Sequence, residues 1–193
     1  MSDTKFTPHL KAFYEEKVAP ELQSKRGYKN RLQIPRLQKV VLNMGVSALL
    51  DKSALDEAAS AMAQVAGQQP MRTLARKSIS NFKLREGMPV GCKATLRGER
   101  MWDFLYRLLA VALPAIRDFR GVPRRFDGKG NYSLGIADIT IFPEVPSDQI
   151  KRQTGLEITI VTTAADDEEA AELLELLGMP FRKRESAAAE SAA

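Results

Sequence analysis

The chain has 193 residues, a length suited to one α+β domain or a domain with a tail, and its 44% hydrophobic content suffices for a core. No apolar run approaches the ~20 residues of a membrane span, Met1 to Phe6 lack an apolar signal stretch, and the one cysteine excludes an internal disulfide or a cysteine-based zinc site. The net charge of +5 is uneven: residues 166–193 hold eight acids against three bases, leaving 26 bases against 16 acids before them, and a soluble intracellular protein is expected.

Thr7-Pro8 reads as the start of a first helix, with threonine as cap and proline at the first helical position. Leu10, Phe13, Tyr14 and Val18 give its apolar stripe; Pro20 kinks or ends it, and Gly27 closes the region. Leu37 to Val46 is β-branched and apolar, which predicts a strand. Ser53 with Asp56 resembles a capping box for a helix presenting Leu55, Ala59, Met62 and Ala66 and stopping at Gly67. A short strand is expected over 71–76, then a polar, basic loop over 78–89.

Val90 to Arg97 alternates: Val90, Cys92, Ala94 and Leu96 share one face, and Lys93, Thr95 and Arg97 the other. Met101 to Ile116 is the strongest helix, with Met101, Phe104, Leu105, Leu108 and Ala112 on its buried stripe, Leu109 at its margin, and Pro114 kinking or ending it. Residues 117–135 are rich in glycine and bases and read as a long functional loop. Strands are expected over Ile136–Phe142 and Leu156–Thr162, and an acid-led helix over Asp166–Gly178. Residues 1–180 are expected to form a single domain, and 181–193 a basic, then small-residue, disordered tail. Without a repeating βαβ unit, the pattern predicts an α+β fold: an antiparallel or mixed sheet, helices packed on one face and the other face open.

The catalytic search finds little. His9 is the one histidine and reads as a solvent-facing or packing residue. Cys92 lies on the apolar face of its strand, so an inert core thiol is expected. Nucleophilic triads and soft-metal clusters lack the residues they need, so no catalytic residue, metal or cofactor is assigned. The acids from Asp166 to Glu169 are explained by the helix macrodipole. Gly128-Lys129-Gly130 only faintly resembles a phosphate loop, since it completes no glycine fingerprint and follows no apolar strand.

Basic residues interleaved with amides and an aromatic ring are more informative. Residues 71–100 hold eight bases (Arg72, Arg76, Lys77, Lys83, Arg85, Lys93, Arg97 and Arg100) against Glu86 and Glu99. Cations neutralise phosphates, amides and hydroxyls read base edges or 2′-hydroxyls, and an exposed Phe82 could stack on a base. The competing reading has Phe82 pinning the loop by packing. An anionic membrane would instead call for an amphipathic basic helix, whose spacing this segment lacks. A polyanion partner is expected.

Asn43-Met44-Gly45-Val46, Gly67-Gln68-Gln69-Pro70, Ala75-Arg76-Lys77-Ser78 and Gly91-Cys92-Lys93-Ala94-Thr95-Leu96-Arg97-Gly98 occur in that order. Arg117-Asp118-Phe119-Arg120-Gly121, Phe126-Asp127-Gly128-Lys129-Gly130-Asn131-Tyr132 and Ile141-Phe142-Pro143-Glu144 follow. Across roughly residues 10–183 the chain resembles the bacterial large-subunit ribosomal protein five family. Departures are modest: Pro20 in the first helix, the tail from Ser186, and a loop at Val122 to Arg125 that is one residue shorter. The resemblance implies an antiparallel sheet backed by helices, no enzymatic activity, and a place in the central protuberance with 5S ribosomal RNA, large-subunit RNA and neighbouring proteins. It maps 5S RNA contacts onto Asn43, Gln68, Phe82, Thr95 and Arg97, with Arg76 and Lys77 beside them. The 78–87 loop, through Lys83 and Arg85, corresponds to a contact with peptidyl-site transfer RNA. The 117–135 side, with Arg120 and Arg125, corresponds to a bridge to small-subunit protein thirteen. The alternative from another class is an RNA-processing or RNA-modifying enzyme that uses carboxylates.

Overall fold

A computed structural model describes residues 8–46, 52–146 and 154–182, with Lys52 in its backbone alone. Five strands, β1 (Leu37–Gly45), β2 (Met71–Leu74), β3 (Pro89–Leu96), β4 (Tyr132–Ile136) and β5 (Leu156–Thr162), form one sheet in the order β2-β3-β1-β5-β4. Every neighbouring pair is antiparallel. The helices are α1 (His9–Phe13), α2 (Ala19–Arg26), α3 (Lys52–Ala66), α4 (Gly98–Arg107), α5 (Leu113–Ala115) and α6 (Asp167–Leu176). This is the α+β arrangement expected.

Period-two alternation makes the sheet one-sided. Val40, Leu42 and Met44 of β1 are fully buried, as are Cys92 and Leu96 of β3 and Ile158 and Ile160 of β5. Met62 and Val65 of α3, Phe104 and Leu105 of α4 and Leu173 of α6 join them in one core. Burying each such side chain contributes about 1.5–3 kcal/mol before its ordering cost is subtracted. Cys92 is part of this core, and burial pushes its thiol up to about 11, so it is an inert packing residue.

Both helix prolines are accommodated by the same device. A π turn, Tyr14–Val18, joins α1 to α2, with the Ala19 N–H donating to the Tyr14 carbonyl. A second, Leu108–Ala112, joins α4 to α5, with the Leu113 N–H donating to Leu108. Pro20 and Pro114 each follow two residues later. One widened turn shifts the carbonyl that the proline ring would strike and displaces the ladder where its N–H is missing. Pro20 therefore does not end the helical path, which continues to Arg26 and closes on Gly27 at φ +65°.

Several boundaries differ from the sequence expectation. Pro8, rather than Thr7, stands at the cap position of α1, and its carbonyl accepts from the Lys11 N–H at 2.9 Å. Of the tail expected over 181–193, Phe181 packs edge-on against Tyr132 and the Arg182 N–H donates to the Val122 carbonyl at 2.9 Å, so these two residues belong to the folded domain. Thr7 and the residues from 183 onward lie outside the described residues. Ser53 is inside α3, which already begins at Lys52, so it is not the cap. The strand expected over Ile136–Phe142 is instead β4, ending at Ile136. The 117–135 segment is thus shorter as a loop. Beyond β4, Asp138 accepts from the Thr140 N–H at 2.9 Å and winds Ile139–Ile141 into a 3₁₀ turn.

Two glycines on the open face test the close approach of strands. A Cβ at Gly91 would collide with the Met44 carbonyl oxygen, beside the register shift between β2 and β3. A Cβ at Gly45, its partner across β1, meets nothing within 4 Å. Gly91→Ala should lower stability by about 1–3 kcal/mol in urea unfolding. Gly45→Ala should stay within about 0.5 kcal/mol of the parent; equal losses would contradict this packing.

Candidate nucleic-acid interface

The open face is organised in rows by strand register. Met71, Lys93, Asn43, Glu157 and Gly135 form one row, and Thr95, Val41, Thr159 and Ser133 the next. Asn43 and Thr95, which are singled out by the resemblance, therefore lie on one surface with Lys93. The Asn43 amide donates to Glu157 at 3.3 Å, and the Ser133 and Thr159 hydroxyls meet at 3.3 Å. Arg97 is the first residue past β3; it is exposed and still extended at φ −140°, which keeps it on the face of Lys93 and Thr95. Lys39 of β1 also reaches this face, and its alternation with Val40, Leu42 and Met44 is the sequence signal that places it there. The β3–β1 half of the face is thus cationic, while the β5–β4 half carries hydroxyls and Glu157.

Gln68 has a different geometry. Gly67, at φ +64°, ends the helical path of α3 and turns the chain so that the Gln68 amide nitrogen donates to the Thr95 carbonyl at 3.1 Å. Its oxygen accepts from Arg100 at 3.5 Å. The side chain holds the end of β3 and orients Arg100.

Beyond the β2–β3 edge, residues 75–88 continue as an irregular hairpin rather than a slack loop. Ala75 donates to the Met88 carbonyl at 2.8 Å, Gly87 donates to Ala75 at 3.0 Å, and Ile79 and Leu84 exchange bonds at 2.9 and 3.0 Å. Ser80–Phe82 form a 3₁₀ turn at the tip, closed by Lys83 at φ +50°. The Phe82 side chain is 67% exposed and belongs to neither the core nor its partly buried margin, so it does not pin the hairpin by packing. Arg76, Lys77, Lys83 and Arg85 are exposed, and none forms an ion pair with a described residue. Arg72 differs: it meets Asp56 at 2.6 Å, so its charge is partly spent within the chain.

Arg120 and Arg125 lie apart from these groups, in the segment leading to β4 at the opposite sheet edge. Both are exposed, whereas the adjacent Arg124 pairs with Glu175 at 3.2 Å. In the same segment the Gly128 and Gly130 N–H groups do cradle an anion, and it is the chain's own Asp167, at 3.0 and 2.9 Å. Asp127 accepts from the Lys129 and Asn131 N–H groups and the Asn131 amide, which hold its carboxyl below the usual range. The phosphate-loop reading fails because that nest is filled from α6.

His9 is exposed, its ring 5.8 Å from Tyr106. Among the described residues no group of three His, Cys, Asp or Glu side chains could hold a metal ion, and no helix is long and apolar enough to cross a membrane.

Residues 30–85 match the family model "Ribosomal protein L5", and residues 89–181 match the model for the C-terminus of the same ribosomal family. The large ribosomal subunit protein uL5 of Idiomarina loihiensis is 54% identical over 176 residues, 90% of this chain and 98% of its own. Those of Symbiobacterium thermophilum and Kosmotoga olearia are also 54% identical, covering 91% and 90% of this chain and 99% and 96% of theirs. At this identity over nearly the whole length, the chain belongs to the ribosomal protein L5 family.

Proposed function

We propose that this chain, a structural and non-enzymatic constituent of the large ribosomal subunit, holds 5S ribosomal RNA on its open sheet face and basic hairpin. Family membership makes it ribosomal and cytoplasmic and sets aside the carboxylate-using RNA enzyme. The observation that carries the RNA reading is the continuity of a polar face, Lys39, Asn43, Lys93, Thr95 and Arg97, with a hairpin whose four cations lack internal partners among the described residues. Such a surface positions phosphates with its cations and reads 2′-hydroxyls and base edges with Asn43 and Thr95. Gln68 acts by fixing Thr95 and Arg100, and Arg76 and Lys77 add charge at the hairpin base.

The hairpin tip reaches past the sheet, so Lys83 and Arg85 serve a second RNA, the transfer RNA in the peptidyl site. The opposite edge, with Arg120 and Arg125, faces small-subunit protein thirteen. Large-subunit RNA and neighbouring central-protuberance proteins complete the surroundings.

Thr95→Ala and Arg97→Ala should each weaken 5S RNA binding in filter binding without changing the melting temperature, since neither side chain enters the core. Arg97→Ala should also lower the log–log salt slope by roughly one unit or less. Unchanged affinity in both variants would move the RNA site elsewhere.

With its ring free, Phe82→Leu should cost about 1–3 kcal/mol of RNA affinity through lost stacking and leave stability unaltered. Loss of stability with full affinity would restore a packing role.

Replacing Lys83 and Arg85 together with alanine should spare isolated 5S RNA binding while weakening transfer RNA retention on assembled ribosomes. Equal loss of both activities would make the hairpin one continuous 5S RNA site.

A further inference from the structure

A groove of about 510 Å³ opens on the helix side of the sheet, where the first helical segment passes the lead into β1. Its walls are firmly built. The Asn30 side chain accepts from the Leu32 N–H at 2.9 Å and the Asn30 N–H donates to the Gln33 side-chain oxygen at 3.4 Å, fixing the turn Arg31–Gln33. The Tyr14 hydroxyl donates to the Pro35 carbonyl at 3.0 Å and ties helix to strand lead, and the Arg36 N–H donates to Thr163 Oγ1 at 3.0 Å. Trp102 backs the floor, its ring 5.6 Å from that of Tyr14. The turn leaves Leu32 81% exposed at the rim.

The charges are unbalanced. Lys11, Arg31 and Arg36 line the groove against a single acid, Glu15, and none of the three cations forms an ion pair with a described residue. Burial raises the Tyr14 phenol, and the Arg36 and Arg31 guanidiniums work against that rise, which places both charges around the ring. The groove is also separate from the open face, because Leu37 at its margin points into the core.

We propose that this groove is a second RNA site that holds one unpaired ribonucleotide, with its phosphate between Arg31, Arg36 and Lys11 and its base on Leu32 and the Tyr14–Trp102 floor. Only the choice of ligand rests on the RNA-binding reading above. Planar guanidinium forks match phosphate oxygens, unstacked bases settle on aromatic and guanidinium planes, and the volume lies within the ~300–1,000 Å³ of small-ligand sites. An acidic peptide would use the cations but leave the apolar ledge of Leu32 without a role.

Trp102 is the one tryptophan in the chain, so its fluorescence reports this groove. The full chain titrated with single-stranded hexaadenylate should show a saturable change in Trp102 emission, with hexaglutamate giving a weaker one. Arg31→Ala with Arg36→Ala should reduce hexaadenylate affinity about tenfold or more, consistent with loss of charged hydrogen bonds. Both residues are exposed, so the melting temperature should hold, and Arg31→Lys with Arg36→Lys should give an intermediate loss because charge survives without the fork. Full affinity in the alanine pair, no saturable emission change, or hexaglutamate binding as tightly as hexaadenylate would each overturn the proposal, the last in favour of an acidic protein segment. Failure here leaves 5S RNA binding by the sheet face intact, and failure of the sheet-face reading leaves the tryptophan titration unchanged.

Discussion

The structure depends on the register of β1 between β3 and β5. In that register Val40, Leu42 and Met44 enter the core, while Lys39, Val41 and Asn43 face outward. A slip of one residue would exchange the two sets, exposing three large apolar side chains and burying a lysine. An isolated buried charge costs several kcal/mol even after relaxation, so the hydrophobic core and the polar face are fixed by the same choice. Among the described residues the helices cover one side only, which leaves the outward row without a covering layer along the β3–β1 half.

Charge is sorted around this sheet rather than spread over it. The acids of α6 are largely satisfied inside the chain: Arg26 meets Glu172 at 2.9 Å, the Tyr28 hydroxyl donates to Glu169 at 2.8 Å, Arg124 meets Glu175, and Asp167 fills the glycine nest. Arg26 holds the Glu172 carboxyl below its usual range, and burial with the Glu169 bond pushes the Tyr28 phenol up to about 12. These partly exposed pairs contribute modestly to stability. Arg26 and Arg124 offset part of the acidic charge of α6, while the Tyr28 hydroxyl and the glycine N–H groups satisfy other carboxylates by hydrogen bonding alone. Negative charge thus gathers on α6, and positive charge on the hairpin beyond the β2–β3 edge, whose cations have no ion-pair partners among the described residues.

The sequence made some of this legible and hid the rest for physical reasons. The alternation from Val90 to Arg97 declared both faces of β3 because its neighbours are clearly apolar or clearly charged. Strand β4 stayed hidden because its outward positions are Ser133 and Gly135, so Tyr132, Leu134 and Ile136 blended into a glycine-rich segment. Pro20 reads as either a kink or a helix end because a π turn leaves no compositional mark. The same outward alternation in β1 could have selected Asn43 and Lys39, but only the resemblance named Asn43. Gln68 could not be placed from spacing, since its role is a bond to a carbonyl 27 residues away. The groove at Trp102 was beyond reach altogether, being assembled from a helix, a capped turn and a second helix distant in sequence.

The proposal places 5S RNA on the open face and not on the helix layer. Lysine acetylation read by mass spectrometry, on the free full chain and on its complex with 5S RNA, tests this most directly. Lys39 and Lys93 should become protected in the complex, while Lys17 and Lys25, on the first helical segments, should acetylate as they do in the free protein. Protection of Lys17 and Lys25 with Lys39 and Lys93 still reactive would contradict it.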